Sequence, residues 1–448
     1  MTQASQKGGD LEDEASRKAL SYSKFYAGKV SMAPKVPVRS LDDFAIWYTP
    51  GVAAVSRAIA ADTELSFELT GRWNTIAVVT DGSRVLGLGN IGPEGALPVM
   101  EGKALIYKYL GGVDAIPLPL RLRDGEHMIS MVKALEPCIG GVNLEDIESP
   151  KCFEILERLR RDMKIPVWHD DQQGTAGVSI AGLFNALELT GRKLRGSRIV
   201  LFGAGAANIA TARLLVAAGA DPKDLLILDS KGILNPERKD IEQLMVKNRW
   251  KYDLAITTNG DRAKGGLREA LRGADALIAA AGVGPDLIKR DEIAAMNRRA
   301  IAFLLANPVP EMLPSEAAAG GAEIIATGRS DYPNQVNNSL LFPAIFRGAL
   351  DVRARTITDT MVIAAARELA RHAKDKGLTK EHILPTMAEW HVYPEVAASV
   401  GDTAVKEGHA RKKAPRSELL RTATQMIKHS RKVMDALRKS GVIIEPPE

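Results

Sequence analysis

Arg198-Ile-Val-Leu-Phe-Gly-Ala-Gly-Ala-Ala-Asn208 decides the fold. An apolar run of strand type enters a Gly-Ala-Gly turn, and Ile209 to Ala218 continues with helical spacing. A tight turn between strand and helix aims backbone N–H groups and the positive helix end at one point, where a pyrophosphate binds. The next strand, Leu225 to Leu228, ends at Asp229, about twenty residues past the turn, where an acidic residue meets an adenine ribose. Gly203, Ala204, Gly205, Ala206, Ala207 and Asp229 are therefore the candidates for holding NAD or NADP. Asp229 repels a 2′-phosphate and tilts the reading to NAD, whereas Lys231, two residues on, is a candidate partner for that phosphate. Asn208 stands where a small residue normally lets helix and strand pack closely, so cofactor affinity or helix packing is expected to differ here.

Working outward, the apolar runs 198–203, 224–229, 274–281, 300–306 and 322–327 alternate with helical stretches, the pattern of a doubly wound parallel sheet. Upstream, Thr75–Thr80 reads as a buried strand broken at Asp81-Gly82, with Arg84–Gly89 resuming it as a hairpin partner, and 101–110 reads as a helix. The expected organisation is α/β. A polar leader with a short helix (1–20) precedes a mixed α/β substrate domain (21–165), a Rossmann-like NAD(P)-binding domain (166–400) and a basic helical tail (401–448). In that tail Leu419, Ala423, Met426, Ser430, Val433 and Leu437 form one apolar helix face, ended near Gly441. It reads as a helix packed at a subunit contact with a solvated basic face, rather than as a nucleic-acid arm.

Composition narrows the classes. The 448 residues are 45% hydrophobic, enough for two or three cores. No apolar run nears the ~20 residues of a membrane span, and Met1–Lys18 has no apolar signal core, so a cytoplasmic protein is expected. Two cysteines and seven histidines in no ligand spacing give no support for a disulfide framework or a zinc site. The net charge of +5 is gathered largely in the last forty or so residues. Without aromatic–basic interleaving it does not point to nucleic acid.

Two acidic pairs carry the chemistry. Asp170-Asp171 follows the strand-like Ile165–Trp168, and Glu145-Asp146 follows Cys138–Leu144. Carboxylates at the ends of neighbouring strands repel one another unless a hard cation, Mg²⁺ or Mn²⁺, lies between them. His169 reads as a structural hydrogen-bonding residue. Lys103 falls on the first turn of the 101–110 helix, where dipole and desolvation lower the pKa of a lysine and make it a base. Tyr48, just before Pro50-Gly51, reads by itself as a buried aromatic anchor; a phenol directed into a cleft is the alternative.

Together these segments resemble the malic enzymes, which oxidatively decarboxylate malate to pyruvate. The matching motifs are YTPGVA (48–53), VVTDGSRVLGLGNIG (78–92), PVMEGKALIYKYLGG (98–112), NLEDI (143–147), HDDQQGTA (169–176), GAGAA (203–207), LDSKG (228–232), ANPVPE (306–311) and NQVNNSLLFPAIFRGALD (334–351). The resemblance, to the small prokaryotic type, implies that Glu145, Asp146 and Asp171 ligate the metal and that Asp170 orients Lys103. Lys103 then takes the C2 hydroxyl proton as hydride leaves for the nicotinamide, and Tyr48 protonates the enolate after CO₂ departs. Arg84, Asn307 and Asn338 are the implied substrate contacts, with Asn307 also touching the nicotinamide and Asn337 a competitor of Asn338. A homodimer or higher even oligomer is implied, in which Tyr48 can serve the partner's site. A malolactic reaction that retains the cofactor and releases lactate, and a non-catalytic nucleotide sensor, remain the alternatives.

Overall fold

The computed structural model describes residues 3–446; Met1, Thr2, Pro447 and Glu448, at the ends of the expected leader and tail, lie outside them. Strands β1 (Thr75–Thr80), β2 (Asp114–Pro119), β3 (Gly141–Leu144) and β4 (Val167–His169) form a parallel sheet in the order β2-β1-β3-β4. Strands β5 (Ile199–Phe202), β6 (Leu225–Asp229), β7 (Gly232–Ile233), β8 (Ala276–Ala279), β9 (Ala300–Leu304) and β10 (Ala322–Thr327) form the second sheet in the order β10-β9-β8-β5-β6-β7. Only the short β7 runs antiparallel. All five apolar runs expected of the doubly wound sheet are its parallel strands. Its order reverses at β5, with β6 on one side and β8 on the other, and a crevice opens beyond the carboxyl ends of strands at such a switch.

The Arg84–Gly89 hairpin does not form. Both edges of β1 are taken, by β2 and by β3, which leaves no ladder groups for another strand. The segment closes on itself instead, with Val85 N–H donating to Gly89 C=O and Leu86 held at φ 47°.

The helices that matter for the site are α1 (Gln3–Tyr26), α2 (Gly92–Ile106), α3 (Lys151–Asp162), α4 (Thr175–Leu189), α5 (Ala206–Ala218), α6 (Phe342–Asp351), α7 (Asp359–Asp375), α8 (Val392–Lys406) and α9 (Arg416–Lys439). The expected short leader helix is the longer α1, which passes the leader's expected end at residue 20. The expected 101–110 helix is the end of α2, which begins nine residues earlier. Pro98 lies inside α2, and a proline there reads as a helix stop because it lacks the N–H donor. Lys103 consequently sits in the last turn of its helix, where the dipole favours a cation. The chain then widens into a π-helical turn, Tyr107–Gly111.

The C-terminal helices close over this turn. Tyr107, Phe342, Phe346 and Ile427 belong to one buried cluster with Val78 of β1 and Ile199 of β5. The expected division at 165/166 falls just ahead of β4, a strand of the first sheet, and α8 runs across residue 400. The buried face of α9 is Leu419, Ala423, Ile427 and Ser430, turned by one residue from the expected one: Ile427 replaces Met426, and Val433 is exposed.

Arg347 pins this closure. Fully buried on α6, it donates to Asp351 Oδ1 (2.6 Å) and to Asn74 Oδ1 (2.6 Å). Asn74 Nδ2 in turn donates to Gly112 C=O and to Asp114 Oδ2. Removing one partner of a buried pair leaves an uncompensated charge and costs about 3–5 kcal/mol. Arg347→Met should lose stability of that order in chemical denaturation. Arg347→Met with Asp351→Asn should lose clearly less than the two single losses added together; additive losses would show that the pair does not act as a unit.

Candidate active site

A cleft of about 830 Å³ runs between the carboxyl ends of the two sheets. From the first sheet come Glu145 and Asp146, directly after β3, and Asp171, two residues after β4; Leu144 pairs with His169, so the two acidic segments lie side by side. Asp146 has left-handed backbone (φ 53°) and is tied on both sides. Its N–H donates to Asp171 Oδ2 (2.8 Å), and its carbonyl accepts the Arg84 N–H (3.0 Å).

Ligand oxygens of Glu145, Asp146 and Asp171 lie within 4.8 Å of one another. Asp146 Oδ2 is buried without a hydrogen-bond partner among the described residues. Three oxygen donors with no thiolate or imidazole suit a hard divalent cation. Burial pushes the Glu145 carboxyl well above its ordinary range in spite of the ammonium beside it. Burial, and then Asp171, raises Asp146 to about 7. These anions are short of positive charge, and the residues present fit such a cation.

Lys103 is buried between the acids. Its Nζ donates to Glu145 Oε1 (2.6 Å) and Asp170 Oδ2 (2.5 Å) and lies 4.6 Å from the Phe342 ring centre. Burial alone would lower its pKa, but Asp170, Glu145 and Asp171 together outweigh burial and raise it. The expected lowered pKa is therefore corrected: the opposing charges decide, not the helix start. Asp170 is itself held, since its Oδ1 accepts the Trp168 Nε1–H (2.9 Å). Glu145 Oε2 accepts from Asn143 Nδ2 (2.8 Å), and Asn143 Oδ1 accepts from the Tyr107 hydroxyl (2.9 Å). Trp168, Asn143 and Tyr107 were not singled out from the sequence, because apolar strand and helix context hides their polar ends.

His169 is fully buried, and neither ring nitrogen has a hydrogen-bond partner among the described residues, so it is not the hydrogen-bonding histidine expected. Burial lowers its pKa to about 4 and keeps it neutral. Tyr48 is neither a buried anchor nor a lining residue of the cleft: it is 69% exposed. The structure does not bring it to the acidic cluster of its own chain. Arg84, Asn307, Asn337 and Asn338 all line the cleft. Asn337 is committed locally, its Oδ1 accepting the Ser339 N–H and its Nδ2 donating to Gly328 C=O.

On the second sheet, Ala204, Gly205, Ala206 and Ala207 line the cleft at the start of α5. Gly203 does not line it but makes the turn. At φ 99° a Cβ there would lie 2.4 Å from Ala280 C=O. Asn208 packs by hydrogen bonding instead of smallness: its Nδ2 donates to the Phe202 and Ile278 carbonyls, tying α5 to β5 and β8. The Asp229 side chain is 8% exposed and paired with Arg238 (2.9 Å), with Lys251 Nζ 3.5 Å from its other oxygen. Lys231 turns to Asp240 (2.9 Å) and does not line the cleft, whereas Lys251 and Asn248 do. Neither has a motif of its own.

Glu311 joins the two loops that face the α5 turn. Fully buried, it accepts the Ala281 N–H (2.9 Å) and the Ala306 N–H (3.1 Å). Glu311→Ala orphans both donors, at about 1–3 kcal/mol each. The variant should lose several degrees of melting temperature and bind the dinucleotide more weakly, read by calorimetry; unchanged affinity would remove Glu311 from cleft shaping.

Comparison with known proteins agrees with this geometry. Residues 27–128 match the malic enzyme N-terminal domain and residues 172–405 the malic enzyme NAD-binding domain. The chain is 45% identical over 385 residues to an NAD-dependent malic enzyme of Geobacillus stearothermophilus, covering 86% of this chain and 78% of that one. It is 44% identical over 393 residues to a bifunctional malic/malolactic enzyme of Bacillus subtilis, covering 88% and 94%. The crystal structure of Entamoeba histolytica malic enzyme superposes with a TM-score of 0.96 at 42% identity, covering 100% of this chain and 93% of that one. With both domains matched and the acidic cluster facing the dinucleotide turn, this chain belongs to the malic enzyme family.

Proposed function

We propose that this protein oxidatively decarboxylates malate to pyruvate and CO₂ with reduction of NAD or NADP, and that it depends on Mg²⁺ or Mn²⁺. The observation that carries the reading is Lys103 held between Glu145 and Asp170, within a cluster that faces the Gly203–Ala207 turn across one cleft. Glu145, Asp146 and Asp171 hold the cation. When bound, it neutralises these carboxylates and polarises the oxygens of a 2-hydroxy acid. Lys103, once it has given up a proton, takes the one on the C2 hydroxyl as hydride passes from C2 to the nicotinamide. Asp170, anchored by Trp168, keeps Nζ in place. Arg84, exposed on the cleft wall and without an ion pair among the described residues, clamps a substrate carboxylate. Asn307 and Asn338 supply amides to substrate and nicotinamide; Asn338 is preferred to Asn337, whose amide is already engaged.

The cofactor reading leans to NAD, because the Asp229 carboxylate stands where a 2′-phosphate would go. Lys251, on the cleft wall, replaces Lys231 as the cation that would favour NADP. Both cysteines are free, which supports a reducing, cytoplasmic setting; no helix among the described residues is long and apolar enough to cross a membrane.

Tyr48 is read as serving a second copy of the chain. In the same stretch of sequence Met32, Val38, Leu41, Phe44, Ile46 and Trp47 are exposed, large apolar side chains of the kind that a subunit contact covers. A homodimer formed through it lets Tyr48 protonate C3 of the enolate in the partner's cleft.

Malate with Mn²⁺ should reduce NAD(P), read at 340 nm, and EDTA should abolish the signal. Lys103→Ala and Asp171→Ala should each lose at least about a hundredfold in kcat. Metal-independent turnover, full activity in either variant, or lactate without net NADH would sink the reading. Separately, Tyr48→Phe and Lys103→Gln chains, each inactive alone, should regain up to about a quarter of normal activity when unfolded and refolded together as mixed dimers. No recovery would return Tyr48 to its own chain.

A further inference from the structure

α9 presents Lys428, Arg431, Lys432 and Lys439 to a groove of about 390 Å³ that also contains Trp390 and Asp435 and shares no lining residue with the catalytic cleft. None of the four cations has a carboxylate within 4.0 Å among the described residues. Several other basic residues of the C-terminal helices are paired, Lys406 with Asp402, Arg371 with Glu368 and Asp375, Arg416 with Glu395, and Arg438 with Glu445, whereas Arg421 of α9 has no ion pair among the described residues and lies outside the groove. The helix dipole accounts for a cation at Lys439 but not for three in the middle of the helix, where like charges three and four residues apart weaken it. Four cations converge on one concavity against a single acid.

Trp390 narrows what the groove takes. The His391 ring stacks on it at 3.9 Å, Arg431 lies 5.6 Å and Lys428 5.9 Å from its centre, and Arg431 also lies 4.2 Å from the Tyr109 ring centre. With these groups already on the indole, it offers no stacking platform to a nucleobase, which argues against single-stranded nucleic acid. A compact, charge-dense ligand remains.

The groove also touches the catalytic machinery through one turn. Ser430 Oγ donates to Lys108 C=O (2.7 Å), and a Cβ on Gly112 would lie 3.0 Å from Met426 C=O. Tyr109 and Lys108 belong to the π-helical turn Tyr107–Gly111, which follows directly from the helix carrying Lys103 and whose Tyr107 reaches Glu145 through Asn143. We propose that the Trp390–α9 groove is a binding site for a compact multivalent oxyanion, a phosphate compound or tricarboxylate, and that its occupancy alters malate turnover through this turn. Only the turnover clause rests on the proposed function; binding is independent of it.

Inorganic pyrophosphate is titrated into the full-length protein with saturating NAD present, so that the dinucleotide's own phosphate cradle is filled. Tryptophan fluorescence and calorimetry are read together. A saturable signal is expected, with the fluorescence change lost in Trp390→Phe and affinity weakened at least tenfold in Lys428→Gln/Lys432→Gln, whose activity without ligand is unchanged. With free Mn²⁺ held constant, pyrophosphate should shift the KM for malate at least twofold in the wild type and not in the double variant. Competition by tricarballylate supports a general oxyanion site, and its failure to compete supports a phosphate-specific one. Absent binding, equal binding by the double variant (an adventitious ion only), tighter binding of duplex DNA at the same residues, or a changed oligomeric state in the double variant would overturn the site. Binding without a change in KM would overturn its effect on turnover.

Discussion

Mutual repulsion among four carboxylates is the constraint around which this molecule is built. Glu145, Asp146, Asp170 and Asp171 lie at the ends of two adjacent strands, and the first three are almost wholly buried. Burial and repulsion both favour protonation, so the arrangement persists only if positive charge is brought to it. The chain brings one ammonium, Lys103, and it leaves Asp146 Oδ2 without a partner. The remaining demand is what a divalent cation meets.

Much of the surrounding architecture serves to hold that cluster still. Trp168 fixes one oxygen of Asp170, and Tyr107 fixes Glu145 through Asn143, so the two carboxylates that grip Lys103 are each anchored from behind. The Tyr107 turn is in turn covered by α6 and α9, with Arg347 tying α6 to the start of β1 through Asn74. The C-terminal helices, although far away in sequence, are thus part of the support of the first sheet. Across the cleft, Asn208 and Glu311 do the same for the dinucleotide turn and its facing loops.

How much of this was legible in the sequence follows from the range of the forces concerned. The second sheet was readable strand by strand because β5, β6, β8 and β9 are buried on both faces and therefore almost wholly apolar, while β10, at the sheet edge, is interrupted only by the exposed Glu323. The acidic pairs were readable because strand ends and motif order are local features. Lys103 was found, but its place in its helix was misjudged at Pro98, and its pKa direction with it, since that direction depends on charges 42 and 67 residues away. Lys231 was named because it stands beside Asp229 in sequence, and Lys251 was missed because it stands beside Asp229 only in space. The hairpin after β1 failed because a strand's free edges cannot be read from the strand itself.

Periodicity, turn chemistry and motif order, all short-range properties, by themselves determined the α/β class, the dinucleotide turn, the acidic residues and the family resemblance. Tertiary structure alone decided that Asp170 and Glu145 share one ammonium, that Asp229 is tied to Arg238, that the Asn337 side chain is engaged while that of Asn338 has no hydrogen bond among the described residues, and that Tyr48 lies outside its own cleft. It also gathered Lys428, Arg431, Lys432 and Lys439 of α9 into a groove around Trp390. The physical reason is common to all of these: charge, burial and hydrogen-bond satisfaction depend on neighbours that only folding supplies.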